Sequence, residues 1–141
     1  MVFFCNIEIT MMTIPLKKTM TILIVDDNMN FVDRMVGLLH EVKSYINIII
    51  ASDYEEARKL LAQEEPSMAL LDINLPGKSG IELLKLVRSS KPGCDVIMIT
   101  NHADSYYRQQ CIDLGAKYFL DKSNDFAQVP VIIGHYLTEK N

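Results

Sequence analysis

Four short apolar runs in this chain each stop at a polar side chain that can do chemistry. Ile22-Leu23-Ile24-Val25 ends in Asp26-Asp27, Met68-Ala69-Leu70-Leu71 in Asp72, Val96-Ile97-Met98-Ile99 in Thr100, and Tyr118-Phe119-Leu120 in Asp121-Lys122. An aspartate in such a place is a metal ligand, a nucleophile or a cap for the next turn. If the runs are neighbouring strands, Asp26, Asp27, Asp72, Thr100 and Lys122 share one rim. Carboxylates crowded there repel one another, and a hard divalent cation such as Mg²⁺ relieves the repulsion. Lys122 adds a compact positive charge and Thr100 a hydroxyl donor. Together they make a socket for a phosphoryl group, whose transfer depends on positioning and charge neutralisation. Asp72 is then the nucleophile, forming an aspartyl-phosphate.

The elements between these tips are strands alternating with helices. Ile46 to Ala51 supplies a further strand. Asn28 or Asn30 caps a helix bearing Phe31, Met35, Leu38, Leu39 and Val42, and Asp53 caps one bearing Tyr54, Ala57, Leu60 and Leu61. Pro76-Gly77 and Gly80 turn the chain from Asp72 into a helix with Ile81, Leu84 and Val87 inward. Tyr107, Cys111 and Leu114 face inward on the next, with Gly115 closing it. Ser123 or Asn124 caps the last, which buries Val129, Ile132, Ile133, Tyr136 and Leu137 and carries Pro130 near its start. Five strand–helix units imply an α/β fold: a flavodoxin-like, doubly wound (βα)5 with a five-stranded parallel sheet in the order 2-1-3-4-5.

Asp26-Asp27, the segment LLDINLPGKSG, Thr100 and GAKYFLDKS resemble the CheY-like receiver domain of two-component response regulators over about Thr21 to Leu137. The resemblance implies a phosphorylation-dependent switch. Asp72 accepts a phosphoryl group from a sensor histidine kinase or a phosphotransfer protein. Mg²⁺ sits on Asp26, Asp27, Asp72 and the Asn74 main-chain carbonyl, with Asp26 acting through water. Thr100 and Lys122 bind phosphoryl oxygens, and Thr100 and Phe119 carry the switch. The face of helix four, strand five and helix five then changes toward a downstream protein partner, and a homodimer through that face is consistent with the family. The chain catalyses its own phosphorylation and dephosphorylation and is not a turnover enzyme on external substrates. Three departures stand out: Phe119 lacks a tyrosine hydroxyl, Asn101 is larger than the usual small residue, and Ser123 replaces a proline that is often cis, which loosens the Lys122 loop. A haloacid-dehalogenase-type enzyme would want a carboxylate at Asn74, and a flavodoxin-like carrier would want a Ser/Thr/Gly loop where Asp26-Asp27-Asn28 stands.

The 141 residues suit one domain, residues 20–141, behind a poorly ordered extension, residues 1–19, with no signal-peptide order of charge and apolarity. No apolar run nears the ~20 residues of a membrane span. A net charge of −4 with no basic cluster argues against nucleic acid as a direct partner. Cys5, Cys94 and Cys111 show no CxxC spacing, so reduced thiols in the cytoplasm are expected. His40, His102 and His135 read as surface or helix-face residues, with His102 at the rim of the crevice. The residues do not choose between a stand-alone receiver and a fragment of a larger regulator.

Overall fold

A computed structural model describes residues 19–42, 45–101 and 105–140. Its elements are β1 (Met20–Val25), α1 (Met29–Val42), β2 (Ile46–Ala51), α2 (Tyr54–Gln63), β3 (Met68–Leu71), α3 (Gly80–Ser90), β4 (Asp95–Thr100), α4 (Ser105–Asp113), β5 (Tyr118–Asp121) and α5 (Gln128–Lys140). The sheet order is β2-β1-β3-β4-β5 and every pairing is parallel, as expected from the alternation of elements. The residues of the expected extension up to Lys18, and His102, lie outside the described residues.

Side-chain alternation along the strands divides the core. Ile22, Ile24, Met68, Leu70, Ile97, Ile99 and Leu120 face α1 and α5. Leu23, Val25, Ala69, Leu71, Val96, Met98 and Phe119 face α2, α3 and α4. β3 is buried at every position, which is why it reads as an unbroken apolar run. β2 lies at the sheet edge, and Ile50 is 40% exposed there.

The helices follow their apolar stripes with local corrections. α1 buries Phe31, Val32, Met35 and Leu39, and Asn28 is the cap: its Oδ1 accepts the Phe31 N–H at 3.2 Å. Asp53 accepts from the Glu56 N–H at 2.9 Å and Ser79 from the Glu82 N–H at 3.4 Å. α4 departs from expectation. Cys111 is buried, but Tyr107 is 38% exposed and Tyr106 75%. Tyr106 and Tyr107 pack edge to face instead, their ring centroids 5.2 Å apart. Neither Ser123 nor Asn124 caps α5. That helix starts at Gln128, so Pro130 falls in the first turn, where its missing N–H costs nothing.

Two thiols lie in the α2–α4 half of the core. Cys94 and Cys111 are both buried and free. Burial pushes the Cys94 thiol up to about 12 and raises that of Cys111 above its ordinary value.

Candidate functional site

The backbone brings the tips together before any side chain is considered. Val25 pairs with Leu71, so the next rung sets Asp26 beside Asp72. Ladder bonds extend past both strands: the Asp26 N–H donates to Ala51 O at 3.1 Å and the Asp72 N–H to Val25 O at 3.1 Å. Thr100 pairs with Asp121, and the Lys122 N–H donates to Thr100 O at 3.1 Å. Beyond Asp72 the chain doubles back tightly. The Gly80 N–H donates to Ile73 O at 2.8 Å, and a Cβ on Gly80 would lie 1.8 Å from the Asp72 carbonyl oxygen. Only glycine fits that approach of α3 to the strand end. Gly77, at φ 78°, supplies the left-handed turn just before it.

Carboxylate oxygens of Asp26, Asp27 and Asp72 lie within 4.8 Å of one another. Asp26 and Asp72 are buried at 1% and 5% exposure, and Asp27 is exposed. Lys122 Nζ stands 2.5 Å from Asp26 Oδ2 and 3.2 Å from Asp72 Oδ2. The shorter approach is an ion contact without hydrogen-bond geometry, since Asp26 Oδ2 has no hydrogen-bond partner among the described residues, whereas the longer one is a hydrogen bond. The Lys122 ammonium also lies over Phe31, with Nζ 4.6 Å from the ring centroid. Asp26 Oδ1 accepts the Asn28 N–H at 2.8 Å, and Asp72 Oδ1 accepts the Asn74 N–H at 3.3 Å.

Burial pushes the Asp26 carboxyl above its ordinary 3.8; Lys122 and the Asn28 N–H oppose the shift and the Asp72 charge adds to it. A buried carboxylate in this state gains from a cation. One ammonium among three carboxylates leaves negative charge uncompensated, and the oxygens suit a hard divalent ion.

Thr100 arrives differently. By alternation it shares the face of Met98 and Phe119, while Asp26 and Asp72 continue the face of Ile24 and Leu70. Its hydroxyl is buried and has no hydrogen-bond partner among the described residues, so the structure does not bond it to the carboxylates. Phe119 is 3% exposed, beneath α4. Arg108 of α4 covers it, with the guanidinium 5.0 Å from the ring centroid and Nη1 donating to Phe119 O at 3.2 Å. A cavity of about 260 Å³ opens beside Lys122, lined among others by Asn28, Asn30, Arg34 and Asn101. Asn101 is thus part of the wall of that cavity. Strand-end logic gave no sign of Phe31 or Arg108, since both act through rings and backbone from helices.

The response regulator receiver domain family matches residues 22–133. A cyclic di-GMP phosphodiesterase of Thermotoga maritima is 31% identical over 121 residues, covering 86% of this chain. The chain spans only 32% of that relative's length. A CheY-like receiver domain protein of Methanospirillum hungatei JF-1 superposes with a TM-score of 0.78 at 28% identity, covering 86% of this chain and 96% of that one. A response regulator of Burkholderia pseudomallei, solved with a phosphorylated aspartic acid, calcium ion and citrate, has a TM-score of 0.71 at 23% identity, covering 78% of this chain and 64% of that one. With its strand order, its acidic crevice and this match over most of its length, the chain belongs to the response regulator receiver domain family, the modules phosphorylated on aspartate in two-component signalling.

Proposed function

We propose that Asp72 is the phosphoacceptor of a signalling switch. The observation that carries this reading is the Lys122 ammonium set between Asp26 and Asp72 at 2.5 and 3.2 Å, within a group of three carboxylates. An Asp72 carboxylate oxygen forms a bond to phosphorus as the P–N bond of a phosphohistidine breaks, and the imidazole leaves with the bonding pair. The donor is a sensor histidine kinase or a phosphotransfer protein. Asp26, Asp27, Asp72 and the Asn74 main-chain carbonyl would hold Mg²⁺. Bound there, Mg²⁺ offsets the crowding of negative charge that the entering phosphoryl group makes worse.

Lys122 then exchanges its contact with Asp72 for a phosphoryl oxygen, and the buried Thr100 hydroxyl finds in that group the acceptor it lacks. Moving Thr100 vacates space on the Phe119 face of the sheet. Phe119, with no hydroxyl, responds by ring packing against Arg108 and α4. The surface of α4, β5 and α5 changes for a downstream protein, as a shift between two populated states. The chain acts on its own phosphoryl group, not on external substrates, and binds no nucleic acid directly; a homodimer through the same face fits this scheme. None of its described helices is long and apolar enough to cross a membrane, and the setting we propose is the cytoplasm.

Acetyl phosphate with Mg²⁺ should add the mass of one phosphoryl group to the protein and nothing to Asp72→Asn. Equal gain in both would remove Asp72 from the role. The Burkholderia structure, with its phosphorylated aspartate, is a precedent for that adduct in the same fold.

A further inference from the structure

Lys122 sits in the turn between β5 and α5, which here runs Asp121-Lys122-Ser123-Asn124-Asp125 with no proline. Hydrogen bonds nonetheless close this loop. Asp121 Oδ1 accepts the N–H groups of Ser123 at 2.7 Å and Asn124 at 3.2 Å. The Asp121 N–H donates to Asp125 Oδ2 at 2.8 Å, and the Asp125 N–H donates back to Asp121 O at 2.8 Å. Asp125 also ties the turn to the first residue of α5: its Oδ1 accepts from Gln128 Nε2 and its carbonyl from the Gln128 N–H, both at 2.9 Å. With Lys122 bonded to Thr100, all five successive N–H groups of this segment have partners.

A partly exposed turn needs no such closure to exist, since water would serve its amides. What the closure does fix is the origin of the lysine side chain. An ammonium on a four-carbon stem reaches a defined point only if its backbone is held. We infer that Asp121 and Asp125 are positioning residues for phosphoryl uptake at Asp72: two carboxylates replace the ring of a proline in locking the Lys122 turn. The inference rests on the reading of Asp72 and Lys122 given above.

The test compares wild type, Asp125→Ala and Asp125→Asn. Asparagine keeps an oxygen that can accept the Asp121 N–H, and alanine does not. Phosphoryl uptake from acetyl phosphate and Mg²⁺ should slow roughly tenfold or more in Asp125→Ala, the scale of effect that a misplaced catalytic group produces. In metal-free protein the Lys122 amide should exchange faster in that variant while the Asp26 amide, bonded to Ala51, does not change. Asp125→Asn should restore both readouts. Wild-type uptake by Asp125→Ala overturns the inference, and so does an Asn variant as impaired as Ala, which would make charge and not geometry the cause. If wild type itself takes up no phosphoryl group, the reading of Asp72 falls and takes this inference with it.

Discussion

Asp26 illustrates what one residue contributes and costs. It is almost wholly buried, and its carboxyl is pushed up chiefly by that burial. A carboxylate whose folded value is raised adds stability below its unfolded value and loses it as pH rises through the folded one. Its charged form therefore weakens the metal-free protein at neutral pH. Asp26→Asn should raise the melting temperature at pH 7 by a few degrees, the scale of about 1 kcal/mol in a domain of this size. The gain should shrink as the pH falls from neutral through the raised folded value toward the ordinary 3.8, where wild type protonates in both states. A constant gain across that range, followed by thermal melts without divalent ions, would count against burial as the cause. Asp26, Asp27, Asp72 and Lys122 were legible because each follows an apolar run, and a parallel sheet aligns strand ends. The orientation of Thr100 was not. Its side depends on the parity of β4 against β5, which an apolar run of uncertain start does not reveal.

At the scale of elements, the join between β3 and α3 is the least tolerant. A methyl group on Gly80 meets the Asp72 carbonyl at 1.8 Å, and backbone cannot step aside as a flexible side chain can. Gly80→Ala should cost about 1–3 kcal/mol by overpacking. It should also displace Asp72, reducing both phosphoryl uptake and the denaturation midpoint. Gly93→Ala, with nothing within 4 Å of the added carbon, should stay within about 0.5 kcal/mol. The opposite case is α4. Among its described side chains only Cys111 is fully buried, and Arg108 bonds the helix to the β5 backbone. Removing that guanidinium should cost about 0.5–1 kcal/mol, or a factor of roughly two to five in amide exchange along α4. Exchange in β1 and β3 should not move in Arg108→Ala. The weak anchoring of α4 also explains why its inward face was misread. Tyr107 fits a helical stripe by spacing, yet pairs with Tyr106 at the surface. α1, α2, α3 and α5 carry clearer apolar stripes and are legible as helices in the sequence, although α5 starts at Gln128, later than a cap at Ser123 or Asn124 would place it.

Across the whole molecule, charge chemistry occupies one rim of the sheet while the interior beneath it is apolar on both faces. Strand order and element sequence were available from periodicity alone, because alternating units with right-handed crossovers leave few topologies. The Asp121–Asp125 closure was not, since hydrogen bonds of that kind have no hydrophobic period to betray them. The two buried thiols turn this architecture into a clock. A maleimide or iodoacetamide cannot reach a sulfur atom packed inside the fold, nor react with one held protonated. Labelling of Cys94 and Cys111 thus counts openings of the structure around each. Cys111 rides on the lightly held α4, so it should be trapped sooner than Cys94, which is lodged between α3 and β4, as peptide mass mapping over time would show. Equal trapping rates would mean that α4 leaves the sheet only when the entire domain comes apart. A Cys111 rate that changes on phosphorylation, with Cys94 steady, would time the switch without any attached dye.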